Sequence, residues 1–449
     1  MMNMLFKDRN EKIIFSLAII WHLIFFLLIY FKSGWTGFYW GDAEGYIQIA
    51  KNLLGGNGFS LSDVAPFMPD GWRTPMYPIL LSGILFIFKN LYFVSLAQIL
   101  LFSFGAILIY RLAKDFLGEK AALIASLFLI LEPTMAYWNV MFLSETLFFL
   151  FFILGIYFFV KFYKSSSFFA IFAAASFLGF ATLTRPVAQG LWFLILVFIL
   201  FLIKKIGVKC ACLSFIIFLV SFVSVVSPWL IRNKVLFNTY SFSSADANAS
   251  MDNLGAYIRF NPLENFKGNP PQYLLDLIQK NSKLPIFAHD LNYRSYFMKR
   301  WFNLILADPV GYSEVHLISL IPYFLGDGYT ELARQFFPGL YRPGVISWDH
   351  MITPFSFLFD HQGVEAVIFW AGKLFWVLIY FAAILGAINL LKRKEYLYLI
   401  LFLIIIFYFA LTAGIIAYSR YRFAVNPFIF ILAAAGLRYL RELLRFKSK

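Results

Sequence analysis

The chain has 449 residues, 61% of them hydrophobic, 21% aromatic and only 14% charged, more apolar surface than a soluble domain can hide. Its formal net charge is +14, but Lys and Arg come in short clusters between apolar runs rather than along one basic face, so they read as topology signals and argue against a nucleic-acid partner. The two cysteines, Cys210 and Cys212, sit at the edge of one apolar run; they cannot form a disulfide framework and read as small apolar residues.

The first apolar run, 13–31, has a basic flank and no small-residue cleavage site after it, so it reads as an anchor rather than a signal peptide. His22 within it reads as packed or hydrogen-bonded rather than metal-binding. Next comes FYWGDAEGYIQIAKNLLGGNGFS, residues 38–60, where Asp42 and Glu44 precede a helix-like stripe of Tyr46, Ile49, Ala50 and Leu53. Asp42 could cap that helix, with Glu44 in its first turn. The run 75–88 is short for a bilayer that needs about 20 residues and opens with Pro75 and Pro78. It reads as an interfacial or re-entrant helix. Further runs at 91–110, 121–135, 143–160, 168–184, 187–203, 210–231, 364–391, 396–417 and 423–437 complete ten expected spans. With 75–88 not crossing, all the Lys/Arg-rich segments fall on one side, which places both termini in the cytoplasm.

The other, extracytoplasmic, side then collects Asp42, Glu44, Arg73, Glu132, Glu145, Arg185, Arg232, Arg420 and Arg422, together with one large polar loop, 232–363. The expected organisation is a transmembrane module 1–231 with a catalytic first outer loop 32–90, a cap 232–363 without a span, and C-terminal helices 364–449. Each charged residue has a plainer reading: Ser144-Glu145-Thr146 as a helix cap, the arginines as snorkelling side chains. Asn248 in NAS matches a glycosylation acceptor, a triplet that arises often by chance. Acids and arginines gathered at one membrane face nonetheless suggest a site. Transfer of a sugar from a lipid phosphate to a hydroxyl needs guanidinium groups for the departing phosphate and a carboxylate for the acceptor proton. Asp42 suits the second role.

GDAEGYIQIAKNLLGGNGFS followed by GWRTPMYPILL resembles the first outer loop of the GT-C superfamily of polyprenyl-phosphate-sugar glycosyltransferases, with lipid A aminoarabinose transferases and protein O-mannosyltransferases as its nearest echoes. The family's Asp, the aromatic four positions later and its basic, Pro and Tyr-containing segment match Asp42, Tyr46 and Arg73-Thr74-Pro75-Met76-Tyr77. The second family acid matches Glu145 in LSETLFF. LTRPVAQGL, SPWLIRNKVLFNTYSFSS and SRYRFAVNPFIFIL are similar to segments of uncharacterised family 39-like members. The departures are an incomplete Pro-Pro pair, with Thr74 preceding Pro75 and the second Pro absent, and Ala43 in place of an acid after Asp42, which leaves the role of Glu44 open.

The resemblance implies an all-α polytopic GT-C-like fold and a membrane transferase that moves a sugar from a polyprenyl-phosphate donor to a lipid, glycan or protein acceptor. It implies Asp42, Glu145 and Glu44 as catalytic candidates, with Arg73, Tyr46, Tyr77, Arg185, Arg232, Arg420 and Arg422 around the donor. No His/Asp cluster compels a metal, and no cofactor is expected. A polysaccharide polymerase or ligase using lipid-linked glycans is the runner-up. A transporter would keep its ionisable residues near the bilayer midplane.

Overall fold

A computed structural model describes residues 6–246, 257, 291, 294–326, 328–337, 363–413 and 419–447. Among these residues the protein is helical, with no strand. The helices are α1 (Arg9–Ser33), α2 (Ala43–Leu54), α3 (Met76–Phe88), α4 (Tyr92–Leu117), α5 (Glu119–Leu131), α6 (Pro133–Val140), α7 (Glu145–Ser165), α8 (Phe168–Thr184), α9 (Leu191–Phe201) and α10 (Val208–Phe237). After them come α11 (Arg294–Ala307), α12 (Pro309–Leu325), α13 (Tyr329–Phe336), α14 (Gly363–Lys392), α15 (Tyr396–Thr412) and α16 (Asn426–Lys447).

Local chemistry sets the boundaries. Asp8 caps α1 by accepting the Glu11 amide at 3.0 Å, and Pro133, which has no N–H to continue a ladder, ends α5 and starts α6 at a 56° bend with Glu132 as N-cap. Glycine permits one close approach between α14 and α16. A Cβ on Gly386 of α14 would fall 1.8 Å from the Leu432 carbonyl oxygen, and one on Gly436 of α16 would fall 1.9 Å from that of Ala382, so only glycines let these two backbones touch.

One end of the bundle is held by the basic clusters. Arg111 binds Glu11 at 2.8 Å, Lys114 binds Asp8 at 2.8 Å and Lys164 binds Asp115 at 2.9 Å. Lys205 donates to the Tyr163 carbonyl, Arg438 to that of Leu117 and Lys392 to the Tyr439 hydroxyl. The ten apolar helices expected as spans therefore run alternately between this end and the opposite one. Helix α3 does not: Thr74 before it donates to the Thr184 carbonyl at the far end, and Tyr92 after it packs among Tyr30, Trp35 and Phe38 at that same end. It starts and finishes on one side, as a 13-residue helix can.

By length and hydropathy, α1, α4, α7, α10 and α14 can each cross a membrane, and α5 with α6 makes a sixth across its bend. Helices α8 and α15 are shorter, α9 adds only 11 residues to the turn before it, and α16 carries its charges in its second half. Within 232–363, residues 301–307 and α12 together are long and apolar enough to cross a membrane, but they are bent by 112° to one another, the geometry of a broken span or a re-entrant segment. Asn248 and most of 247–293 and 338–362 lie outside the described residues.

Candidate active site

At the end opposite the basic clusters, a cavity of about 530 Å³ is lined by residues from several segments distant in sequence, among them Asp42, Tyr46, Trp72, Arg73, Glu145, Arg185, Asp246, Arg294, Trp301 and Arg420. Five charged side chains form one network within it. Arg420 donates through Nη2 to Asp42 Oδ2 at 3.1 Å and through Nε to Glu145 Oε1, so it bridges the two acids. Arg73 donates to Asp42 Oδ1 at 3.1 Å, and Arg185 pairs with Glu145 Oε1.

Asp42 stands at the N-cap position of α2, yet its side chain makes no capping bond. Both of its oxygens face arginines instead, so the capping explanation does not account for it. Ser144 likewise makes no cap bond before α7. The Glu145 side chain is 2% exposed, a burial that such a carboxylate tolerates only when paired. Burial would push the Asp42 carboxyl up, but the neighbouring Arg420 and Arg73 guanidiniums outweigh it and hold its pKa below the ordinary carboxylate value. The network is not saturated: among the described residues Arg73 Nε and Nη1 and Glu145 Oε2 are buried with no hydrogen-bond partner, which is unusual for native polar groups and leaves capacity for a ligand.

Several tethers place these groups. The Arg73 amide donates to Asp70 Oδ2 at 2.7 Å, and its guanidinium lies over the rings of Tyr46 and Trp72, 5.2 and 4.7 Å from their centroids. The Thr74 hydroxyl bond to the Thr184 carbonyl, 2.9 Å, holds the Arg73 and Arg185 segments together. Gly45 makes room on α2, since a Cβ there would lie 3.0 Å from Arg73 Nη2. The turn before α7 is fastened by Gln98, which donates to the carbonyls of Asn139 and Met141 at 2.6 and 2.7 Å, and by Tyr46, whose hydroxyl meets Ser144 Oγ at 3.3 Å.

The other expected site residues lie outside the cavity. Glu44 is exposed on the outer side of α2. Tyr77 is buried beneath Tyr46, edge-on at 4.9 Å, and donates to Gln98 Oε1 at 2.7 Å. Arg232 spends its guanidinium on the Asp70 carbonyl and Asn233 Oδ1, both at 2.8 Å, and on the Trp229 ring, clamping loop 59–70 to α10. Arg422 is fully buried; it donates to the carbonyls of Phe324 and Gly326 and to the Tyr380 hydroxyl at 2.7 Å, and stacks 4.0 Å from the Trp376 ring centroid. His22 is packed, 2.7 Å from the Asn139 side chain. Among the described residues no three His, Cys, Asp or Glu side chains gather as a metal set, and two of the acids that line the cavity, Asp42 and Glu145, are bridged by Arg420.

The fold and the ion network define a polytopic helical membrane protein with a buried polar site at one end of its bundle. Residues 72–231 match the family model for dolichyl-phosphate-mannose-protein mannosyltransferases. The structure is similar to the archaeal oligosaccharyltransferase AglB of Archaeoglobus fulgidus, solved with an inhibitory peptide and a dolichol-phosphate, with a TM-score of 0.53 and 13% identity over 98% of this chain and 52% of that one. It is also similar to the apo form of an oligosaccharyltransferase from the same organism, with a TM-score of 0.50 and 15% identity over 96% of this chain and 51% of that one. The chain thus spans about half the length of these structures. ArnT from Cupriavidus metallidurans, bound to undecaprenyl phosphate, matches with a TM-score of 0.43 and 12% identity over 94% of this chain and 77% of that one. No curated protein matches the chain. The fold is that of the GT-C glycosyltransferases, as the opening motifs suggested.

Proposed function

We propose that the protein is an integral-membrane glycosyltransferase that moves a sugar from a polyprenyl-phosphate donor to an acceptor hydroxyl, with the ion network as its reaction centre. The observation that carries this reading is the convergence of Asp42, Glu145, Arg73, Arg185 and Arg420 on one cavity, with buried donors of Arg73 unpartnered among the described residues. The match to a mannosyltransferase family and the dolichol-phosphate held by a protein of the same fold support a lipid-phosphate donor.

In the step itself, the acceptor oxygen attacks the anomeric carbon as that carbon's bond to the phosphate oxygen breaks. The electron pair leaves with the polyprenyl phosphate, and the acceptor proton passes to Asp42. Arg73, Arg185 and Arg420 are placed to take up the negative charge that develops on the phosphate. The five groups carry three positive and two negative charges, so an incoming phosphate monoanion completes the neutrality of the cluster. As it takes hydrogen bonds from Arg73 and Arg420, Asp42 loses part of the interaction that depresses its basicity, which brings it closer to a useful general base. Glu145 keeps Arg185 and Arg420 in place. Arg420 bridges the two acids, which supports a transfer that needs no metal.

The clustering of Lys and Arg at the opposite end of the bundle supports a topology with both termini in the cytoplasm and the cavity on the extracytoplasmic side. The ionisable residues lie at helix ends, which favours a transferase over a transporter. Incubating membranes that contain the protein with a panel of radiolabelled polyprenyl-phosphate sugars tests the function. Label should move from the lipid to an acceptor, and its retention on every lipid in the panel would refute the reading.

A further inference from the structure

The cavity lining includes a second polar cluster that the transfer step above does not use. Asp246 and Arg294 form a forked pair in which Arg294 Nε lies 2.9 Å from both carboxylate oxygens and Nη2 also donates to Oδ2. Both remain part-exposed, at 20% and 28% of their side chains, and both line the cavity. Met298 and Trp301, one and two turns along α11 from Arg294, line it as well. Trp301 gives its indole N–H, the side chain's one donor, to the Tyr312 hydroxyl at 2.9 Å, so what the side chain offers the cavity is carbon surface.

The cluster is tied to the phosphate-binding side. The Ser243 hydroxyl donates to the Trp72 carbonyl and the Ser244 amide to that of Gly71 at 2.9 Å. Asp246 therefore stands three residues beyond a tether to the residue before Arg73. A carboxylate and a guanidinium side by side present acceptors and donors at a spacing suited to adjacent hydroxyl groups, and an aromatic face beside them suits the C–H face of a sugar ring. A purely structural ion pair gains little by lining a cavity, where water competes with it.

We propose that Asp246, Arg294 and Trp301 form the subsite that grips the glycosyl group of the donor while the arginine network holds its phosphate, so that this cluster sets which sugar is transferred. The inference rests on the transferase reading, and binding measurements separate the two. The full-length protein in detergent is titrated with undecaprenyl phosphate and with undecaprenyl-phosphate-linked hexoses and pentoses. Wild type should bind at least one glycosylated lipid more tightly than undecaprenyl phosphate. Trp301→Ala and Asp246→Asn should each remove about 10-fold or more of that advantage, the order expected for a stacked ring or a charge-assisted hydrogen bond, while leaving the affinity for undecaprenyl phosphate unchanged. An undiminished advantage in Trp301→Ala overturns the subsite. So does an Asp246→Asn variant that also loses undecaprenyl phosphate, which would make the pair a brace for the cap, or a pair of variants whose only defect is a raised KM for the acceptor. If wild type fails to bind undecaprenyl phosphate itself, the transferase reading falls first.

Discussion

Asp42→Asn separates catalysis from architecture because the replacement keeps the shape of the side chain and removes its charge. Both arginine contacts of Asp42 are 3.1 Å, longer than the ~2.7–2.9 Å of a tight charge-assisted pair, and its side chain is 37% exposed. Discounted for solvent screening, the lost ion pairs should cost only about 1 kcal/mol of stability. The amide oxygen can still accept from one arginine, so the variant should fold and express normally. Loss of a general base should nevertheless lower turnover by about 100-fold or more, equivalent to ~2.7 kcal/mol of barrier. The assay is single-turnover transfer from the preferred radiolabelled donor, with donor affinity measured separately and expected to change little. Since the folded-state pKa lies below the unfolded one, the carboxylate's contribution to stability is complete above the unfolded value near 3.9 and is lost as pH falls through the lower folded value. In the unliganded protein Asp42 is thus ionised throughout the neutral range. Normal turnover in Asp42→Asn would refute its assignment as base, and Glu145 would be the next candidate.

Replacing Arg73, Arg185 or Arg420 by Lys should weaken lipid-phosphate binding by about 1.5–3 kcal/mol for each contact the phosphate makes, with Arg420→Lys the most damaging because it alone touches both acids; equal donor affinity in all three variants would refute the network as a phosphate site. Arg422→Leu should destabilise the protein by about 3 kcal/mol or more, since it strands buried carbonyls and a hydroxyl, and thermal unfolding in detergent would show it as a lowered midpoint. Chelation with EDTA should leave transfer unchanged, and restoration of a lost activity by a divalent cation would show that Arg420 does not replace a metal. Tags at either terminus should be protected from protease added to the extracytoplasmic face of sealed vesicles, and cleavage of both there would reverse the proposed topology.

The sequence alone determined the class and frame of this protein. Apolar runs long enough for helices, with basic residues confined to alternate connections, require a helical bundle with two unlike ends, and the short, proline-led segment 75–88 could be recognised as one that turns back. The acids at 42 and 145 were also legible, because a charge beside an apolar run is costly and stands out. Tertiary structure decided which charged residues meet. Arg420 and Arg422 look equivalent in SRYR, but two steps along a 3-10 turn, at about 120° each, send one guanidinium into the cavity and the other into the packing between α12 and α14. Asp42 and Glu44 diverge in the same way, since residues two apart on a helix do not share a face. Capping preference favoured a bond that Asp42 does not make, because Arg73 and Arg420 arrive from 31 and 378 residues away and offer charge where a backbone amide offers only a dipole. Asp246, Arg294 and Trp301 carried no local signal at all: they sit 48 and 7 residues apart along the chain, and only the path of the chain over the cavity makes them neighbours.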